Sequence, residues 1–122
     1  MIFEIDGYNA LRNALKKMCI ALENDKIPDG AVFKCKLVAD ELVSNVLQHG
    51  EGSAFFSFER CGEVVKISVR GSNEFRPPEV SACADVESES GRGLFLVDAV
   101  CETRRYSREE GVCVVIRVSD VL

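Results

Sequence analysis

The chain of 122 residues lacks the features that mark membrane and secreted proteins. No apolar run approaches the roughly 20 residues that a membrane-spanning helix requires. The opening segment, MIFEIDGYNALRNALKK, has neither the basic start nor the apolar centre of a signal peptide. We therefore expect a cytoplasmic protein that has no membrane partner.

Metal-binding and disulfide patterns are also missing. The chain has one histidine, His49, and none of its six cysteines forms a CxxC pair, so no zinc site is expected. Several cysteines stand within apolar runs such as MCIAL and GVCVVI. Thiols in such runs act as small hydrophobic side chains, so we expect buried, reduced cysteines rather than disulfides.

Basic segments are missing as well. The net charge is −5, the isoelectric point is near 4.9, and no stretch combines basic with aromatic residues. A nucleic-acid backbone repels such a chain, so we expect no direct nucleic-acid binding. The apolar fraction of 47% and the charged fraction of 29% are typical of a globular protein with a single core. At this length we expect one domain over residues 1–122.

The hydrophobic pattern predicts strands and helices in a regular order. Alternating apolar residues predict five strands, which are IFEI, SAFFSFER, EVVKISVR, ETRRYS and VCVVIRVS. Helical spacing predicts one helix from Tyr8 to about Glu23, a second from Pro28 to His49, and a third that begins in GRGLFLVDAV. The segments RCGE and REEG are expected to form hairpin turns.

This order of elements predicts an α+β fold. It should be a two-layer sandwich in which three helices cover one face of a mixed, mainly antiparallel sheet. Residues 71–91 interrupt the order with two prolines, four serines and five acidic residues. Because a structureless stretch of about twenty residues is unusual in a small domain, we expect it to be a lid.

The second predicted helix carries polar residues along one edge of its apolar surface. At about 100° per residue, the side chains that must face the sheet form an apolar arc of Cys35, Val38, Ala39, Leu42, Val43 and Val46. Glu41 and Asn45 flank one edge of this arc and are expected to be half-buried, and His49 falls within its margin. The positions expected further toward solvent are Asp40, Ser44 and Gln48.

Two interpretations of this edge stay open. It is either the polar boundary of an amphipathic helix or one wall of a site. In a site, the Glu41 carboxylate could accept a proton from a hydroxyl group or from water. The Asn45 amide oxygen is a hard, neutral ligand of the kind that Mg²⁺ accepts beside phosphate oxygens. For His49, a packing role is favoured over a catalytic one.

The segment SESGRGLFLV is suited to bind an anion. Gly91 and Gly93 permit a close approach of the backbone, and the helix that follows presents free N–H groups and a positive dipole end. Arg92 adds a cation. Short glycine turns before helices are common, so the segment gains weight from its position after a long loop and after the helix that carries Glu41 and Asn45.

These two segments together carry a resemblance to a known family. DELVSNVLQHG resembles the N box of the GHKL ATPases, and SGRGLFLVDAV resembles the later glycine box of that group. The small size and the closing hairpin RRYSREEGVCVVIRV are most similar to the stand-alone anti-sigma factor serine kinases. The resemblance implies that residues 1–122 form one histidine kinase-like ATPase domain with the Bergerat fold, which binds ATP with Mg²⁺.

The resemblance also implies roles for individual residues and partners. Glu41 would be the catalytic base and Asn45 the Mg²⁺ ligand. The implied cofactor contacts are Asn45, His49, Ser72, Asn73, Gly91, Arg92, Gly93 and Leu94. In that branch the substrate is a serine of a small anti-anti-sigma protein of the STAS type, the other partner is a sigma factor, and members often form homodimers.

One motif departs from the family pattern. After the strand VKISVR the family has an aspartate that accepts a hydrogen bond from adenine, whereas this chain has Gly71 or Ser72 there. Asn73 or Glu74 could substitute for it. Two functions therefore stay open: an ATP-dependent serine/threonine kinase, or a degenerate member that acts only as a protein-interaction module. A two-component histidine kinase is disfavoured, because no helical hairpin with a phosphoacceptor histidine precedes the domain.

Overall fold

The computed structural model describes residues 2–49, 53–71, 96–107 and 111–118. Its regular elements, in chain order, are β1 (Ile2–Ile5), α1 (Tyr8–Asn24), α2 (Asp29–His49), β2 (Ala54–Cys61), β3 (Val64–Gly71), β4 (Thr103–Ser107) and β5 (Gly111–Arg117). Residues 96–100 are also helical. The five predicted strands and the first two predicted helices are confirmed, with ends that differ by one or two residues. The start of the third helix and all but the first residue of the predicted lid lie outside the described residues.

The turn between α1 and α2 follows from local backbone chemistry. Lys26 takes the left-handed conformation, with a φ of 61°. Its N–H donates to the carbonyl oxygen of Glu23 at 2.9 Å, and the N–H of Ile27 donates to that of Leu22 at 3.1 Å. These two bonds form a Schellman motif, which the burial of Leu22 and Ile27 supports on its apolar side. Pro28 lacks an N–H and cannot extend α1, so the chain turns into α2.

The five strands form one sheet in the order β1-β2-β3-β5-β4, and all four pairings are antiparallel. The prediction of a mixed sheet is therefore wrong for the described strands. α1 and α2 separate β1 from β2 along the chain, and these two strands pair antiparallel. β3 and β4 run in the same direction, but β5 lies between them and pairs with both, so no parallel pair forms.

The core lies between the sheet and the helices. α1 contributes Leu11, Leu15, Met18 and Leu22 at helical spacing, and the inward positions of β2, β3 and β5 alternate with half-buried or exposed ones. The inward positions of these three strands include Ala54, Phe56, Val65, Ile67, Val69, Val112, Val114 and Ile116. Val97, from helical residues 96–100, joins the same core. The described residues thus form an α+β structure compatible with the predicted two-layer sandwich.

Two glycines at strand ends take the left-handed conformation. Gly62, with a φ of 62°, lies in the hairpin turn that joins β2 to β3, so the RCGE turn is confirmed. Gly111, with a φ of 75°, begins β5. A Cβ atom at Gly111 would overlap the carbonyl oxygen of Val69 and the Cβ atom of Arg70, whereas one at Gly62 would meet open space. Gly111 is therefore required both by its conformation and by its contact with β3.

The described part of the chain bears on three further predictions, which concern disulfides, metal sites and membrane helices. Its cysteines are all free: Cys35 is buried, Cys61 is exposed, and Cys19, Cys101 and Cys113 are partly buried. The prediction of reduced thiols is confirmed there, but full burial is correct only for Cys35. Within the same residues, no cluster of three or more histidine, cysteine or acidic side chains could hold a metal. None of the helices described is long and apolar enough to cross a membrane.

Candidate functional site

The apolar arc of α2 packs against the sheet as its spacing predicts. All six of its side chains are buried: Cys35, Val38, Ala39, Leu42, Val43 and Val46. The residues of α2 lie near those of β2, β3 and β5, so the middle of the helix crosses the centre of the sheet. This packing fixes the rotation of α2 and with it the direction in which the polar edge points.

Asn45 is buried more deeply than predicted. Its exposed fraction is 6%, and it is the one buried polar residue in the described part of the chain. The half-buried position expected from the helical spacing is therefore wrong for this residue. The burial of a side chain at the margin of a helix also depends on the elements that pack beside the helix. Helical spacing alone does not reveal these elements.

The Asn45 side chain forms no hydrogen bond with any described residue. Its amide has an acceptor oxygen and two N–H donors. Leaving a buried polar group without a partner costs about 1–3 kcal/mol. The amide therefore has to find its partners beyond the described residues, and an ion or a ligand is one kind of partner that fits it.

Glu41 lies one helical turn before Asn45 and is half-buried. Burial raises the pKa of its carboxyl group above the ordinary value of 4.5, and the negative charge of Asp40 raises it further. Asp40 in turn accepts a hydrogen bond from the Ser44 hydroxyl at 3.3 Å. Asp40 and Ser44 are only partly exposed, whereas Gln48 lies in solvent as predicted.

The spacing of Glu41 and Asn45 brings two different oxygen groups onto one side of α2. Side chains four residues apart on a helix have Cβ atoms roughly 5–6 Å apart. A carboxylate with a raised pKa is a stronger base toward a hydroxyl proton. A neutral amide oxygen can bind Mg²⁺, which usually takes one or two protein ligands beside phosphate oxygens and water. The pair fits the chemistry of a nucleotide site with Mg²⁺.

The second half of the predicted site lies outside the described residues. This half consists of Ser72, Asn73, Gly91, Arg92, Gly93 and Leu94. His49 is the last residue of α2, and the position of its side chain is likewise not described. The structure therefore brings together Glu41 and Asn45, and the convergence of the glycine-rich segment with them stays a prediction.

The helix that follows the glycine-rich segment is anchored at its described end. Val97 is fully buried in the core, and the N–H of Cys101 donates to its carbonyl oxygen at 3.0 Å. The Asp98 carboxylate accepts hydrogen bonds from Nε of Arg104 at 2.7 Å and from Nη2 at 3.1 Å. Residues 96–100 are thus held to the core on one side and to β4 on another. Sequence reasoning missed this anchor, although the acid and the arginine stand six residues apart.

Of the two residues predicted at the adenine position, Gly71 and Ser72, the structure describes Gly71. Gly71 is the last residue of β3 and pairs with Ala54 across the sheet. Gly71 brings no side-chain acceptor to this strand end, where the resemblance in the sequence predicts an aspartate. If adenine binds near this strand end, another residue must provide its polar contact.

Comparison with known proteins adds no family to these observations. No protein-family model matches the chain, and none of the curated proteins matches it significantly.

Proposed function

We propose that the chain is an ATP- and Mg²⁺-dependent serine/threonine protein kinase of the anti-sigma type, built on the Bergerat fold. It would regulate a protein partner by binding and phosphorylating it. The observation that carries this proposal is the buried Asn45 amide, which has no side-chain hydrogen bond among the described residues. Among the described residues, no partner competes with a metal for the Asn45 amide oxygen.

The proposed roles divide between the two residues of α2. Bound ATP with Mg²⁺ would supply the phosphoryl group and neutralise the charge that develops on it. Asn45 would hold the metal through its amide oxygen. Glu41 would orient the serine hydroxyl of the substrate and accept its proton, for which the raised pKa of its carboxyl group is suited. The apolar arc excludes water from the inner side of this edge.

The partners proposed follow the resemblance in the sequence. The phosphorylated substrate would be an anti-anti-sigma protein of the STAS type, and the protein bound without phosphorylation would be a sigma factor. A homodimer is compatible with both. The net charge of −5 disfavours nucleic acid and leaves protein and nucleotide ligands open.

Calorimetry with ATP and ADP, each with and without Mg²⁺, tests the first step. We expect binding that depends on Mg²⁺ and is lost in Asn45→Ala. The matched control is Gln48→Ala, because Gln48 is an exposed amide on the same helix and should not affect binding. Absence of nucleotide binding by the native chain would refute the kinase. Phosphate transfer to a STAS-type protein, lost in Glu41→Gln with ATP binding retained, tests the second step.

A second function is favoured by one observation. Gly71 provides no carboxylate at the end of β3, and losing such an acceptor weakens adenine binding by about 1.5–3 kcal/mol, roughly 10- to 150-fold. The chain would then be an interaction module that docks to its partner without catalysis. Partner binding that is unchanged by ATP and by Asn45→Ala would support the module. ATP binding in the micromolar range would count against it.

A further inference from the structure

The sheet has an outer face, opposite to the face on which α1 and α2 pack. Its residues are those that alternate with the core positions along each strand. On β2 and β3 they include Phe55, Ser57, Glu59, Lys66, Ser68 and Arg70, and on β5 and β4 they include Cys113, Val115, Thr103, Arg105 and Ser107. The proposed nucleotide site does not use this face.

The strand register creates a shallow trough across the outer face. Ser57 pairs with Ser68, Ser68 with Cys113, and Cys113 with Arg105. Three small side chains therefore form a row that crosses β2, β3 and β5 and ends at a long cation on β4. Longer side chains border the row on both sides. We call this row and its borders the outer trough.

Two depressions of the surface lie along the outer trough. One, of about 290 Å³, extends from Ile2 past Phe55 and Ser57 to Ser68. The other, of about 480 Å³, lies over β5 and β4 and includes Cys113, Val115 and Arg105. Lys66 borders both of them. A single extended ligand can therefore occupy both.

The outer trough is basic although the chain is acidic. The net charge of the chain is −5, yet Lys66, Arg70 and Arg105 all belong to the linings of the two depressions. The acidic residues of this face lie on β1 and β2. Glu4 on β1 pairs with Phe55, and Glu59 on β2 pairs with Lys66. The half of the trough over β5 and β4 thus has cations and no acidic residue among those that line it.

Two of these cations have no carboxylate partner among the described residues. Arg60, Arg104 and Arg117 form ion pairs with Asp25, Asp98, and Glu63 and Glu102. Arg70 and Arg105, in contrast, form no ion pair with any residue that the structure describes. Arg70 instead lies 4.8 Å above the ring of Phe55, which leaves its outer side open to a ligand.

Apolar surface lies between these charges. Phe55 and Val115 are only half-buried, and Ile2 at the far end of the trough is 74% exposed. A ligand that fits this surface has both acidic groups and small apolar groups. An extended peptide offers them on alternate residues.

We propose that the outer trough binds an extended, acidic segment of a partner protein, with one carboxylate on Arg105 and apolar side chains on Val115 and Phe55. This inference goes beyond the proposed kinase, because the trough lies on the face opposite to α2. Neighbouring strands are about 4.8 Å apart, so a segment that crosses the five strands spans about 19 Å, or about six extended residues.

Charge favours this occupant over two others. In a symmetric pair of chains that meet through this face, the cations Lys66, Arg70 and Arg105 of both copies would gather in one interface, which is unfavourable. A nucleic acid would satisfy the cations but would be repelled by the remaining acidic surface. An acidic peptide avoids the first cost, and a short one carries fewer negative charges past the acidic surface than a nucleic acid does.

The test uses a fluorescent eight-residue peptide in which glutamate alternates with valine. We expect the native chain to bind it, more weakly at high salt, and to bind a control peptide with lysine for glutamate at least tenfold more weakly. Arg105→Glu should weaken binding about tenfold, and Arg105→Gln by less. Arg12→Glu is the matched control, because Arg12 is an exposed arginine on α1, and it should not change the affinity.

Amide NMR shifts should locate the peptide on β2, β3, β5 and β4. Equal affinity in Arg105→Glu and Arg12→Glu, equal binding of the two peptides, or shifts confined to α1 and α2 would overturn the proposal. So would tighter binding of single-stranded oligothymidine or of anionic vesicles than of the peptide, or dimers that Arg105→Glu strengthens. Asn45→Ala should leave peptide binding unchanged, so this result stands or falls separately from nucleotide binding.

Discussion

Arg104 binds both carboxylate oxygens of Asp98, through Nε at 2.7 Å and Nη2 at 3.1 Å. The side chain of Arg104 is only 9% exposed and that of Asp98 is 33% exposed. In a second pair, Nη1 of Arg60 contacts one carboxylate oxygen of Asp25 and also its main-chain carbonyl oxygen, each at 3.1 Å. The side chains of Arg60 and Asp25 are 39% and 53% exposed. The first pair joins helical residues 96–100 to β4, and the second joins the end of α1 to the β2–β3 hairpin.

The two pairs should differ in their contribution to stability. Asp98→Ala leaves a buried cation without its carboxylate, and we expect it to lower the free energy of unfolding by about 1–3 kcal/mol. Asp25→Ala removes a solvent-exposed carboxylate and should cost less than about 1 kcal/mol. Urea denaturation measures both. Equal losses would show that the burial of Arg104 does not decide its contribution.

Asn45 should stabilise the protein only when its ligand is bound. Asn45→Leu replaces a buried amide by an apolar group of similar size, and we expect the free protein to gain about 1 kcal/mol or more in unfolding free energy. The same variant should lose the rise in melting temperature that ATP with Mg²⁺ gives the native chain. Gln48→Leu should change neither quantity. A less stable Asn45→Leu variant would mean that the amide has a partner in the free protein.

Glu41 should make stability depend on pH. Its pKa is raised above 4.5 in the folded chain by burial and by Asp40, so the folded state binds the proton more tightly than the unfolded state. The stabilisation by this proton is complete below the ordinary pKa and is lost as the pH rises through the raised pKa. Glu41→Gln should therefore become progressively more stable than the native chain over that window.

NMR titration of the Glu41 carboxyl carbon gives the folded pKa directly. Asp40→Asn removes the second cause of the shift and should move the titration to lower pH. A native carboxyl that titrates at or below 4.5 would contradict the burial of Glu41 and weaken its proposed role as a base.

The two turn glycines should respond differently to alanine. At Gly62 a methyl group meets open space, so Gly62→Ala should cost only the strain of the left-handed conformation, about 1–2 kcal/mol. At Gly111 the same strain is joined by overlap with Val69 and Arg70, and the total should reach about 2–5 kcal/mol. Thermal denaturation of both variants checks the order. Similar losses would mean that β5 can move away from β3 without cost.

The elements of the fold were predictable because their signals are local. The Leu11-Leu15-Met18-Leu22 spacing of α1, the NDKIPDG break and the alternation of β2 and β3 each lie within a few residues of chain. The place of β5 was not predictable in this way, because pairing between β3 and β5 joins residues more than forty positions apart. The prediction of a mixed sheet was wrong because sequence patterns do not reveal such distant pairings.

The candidate site was predictable only in its residue types. Helical spacing placed Glu41 and Asn45 on one edge of the apolar arc, and the structure retains this edge. The deep burial of Asn45 depends on what surrounds α2, and the anchoring of Asp98 by Arg104 depends on how residues 96–100 lie against β4. The basic outer trough combines residues from strands that are distant in sequence. Its positive charge can therefore be recognised only once the pairing of these strands is known.

The insertion of β5 between β3 and β4 also has a consequence during synthesis. β5 is the last of the described strands to leave the ribosome, yet both β3 and β4 pair with it. Until residues 111–117 have emerged, β3 offers an unpaired edge to any other chain, and β4 has nothing to pair with. A nascent chain at this stage exposes unpaired N–H and C=O groups along β3. It avoids aggregation only if β5 emerges quickly or a chaperone covers this strand.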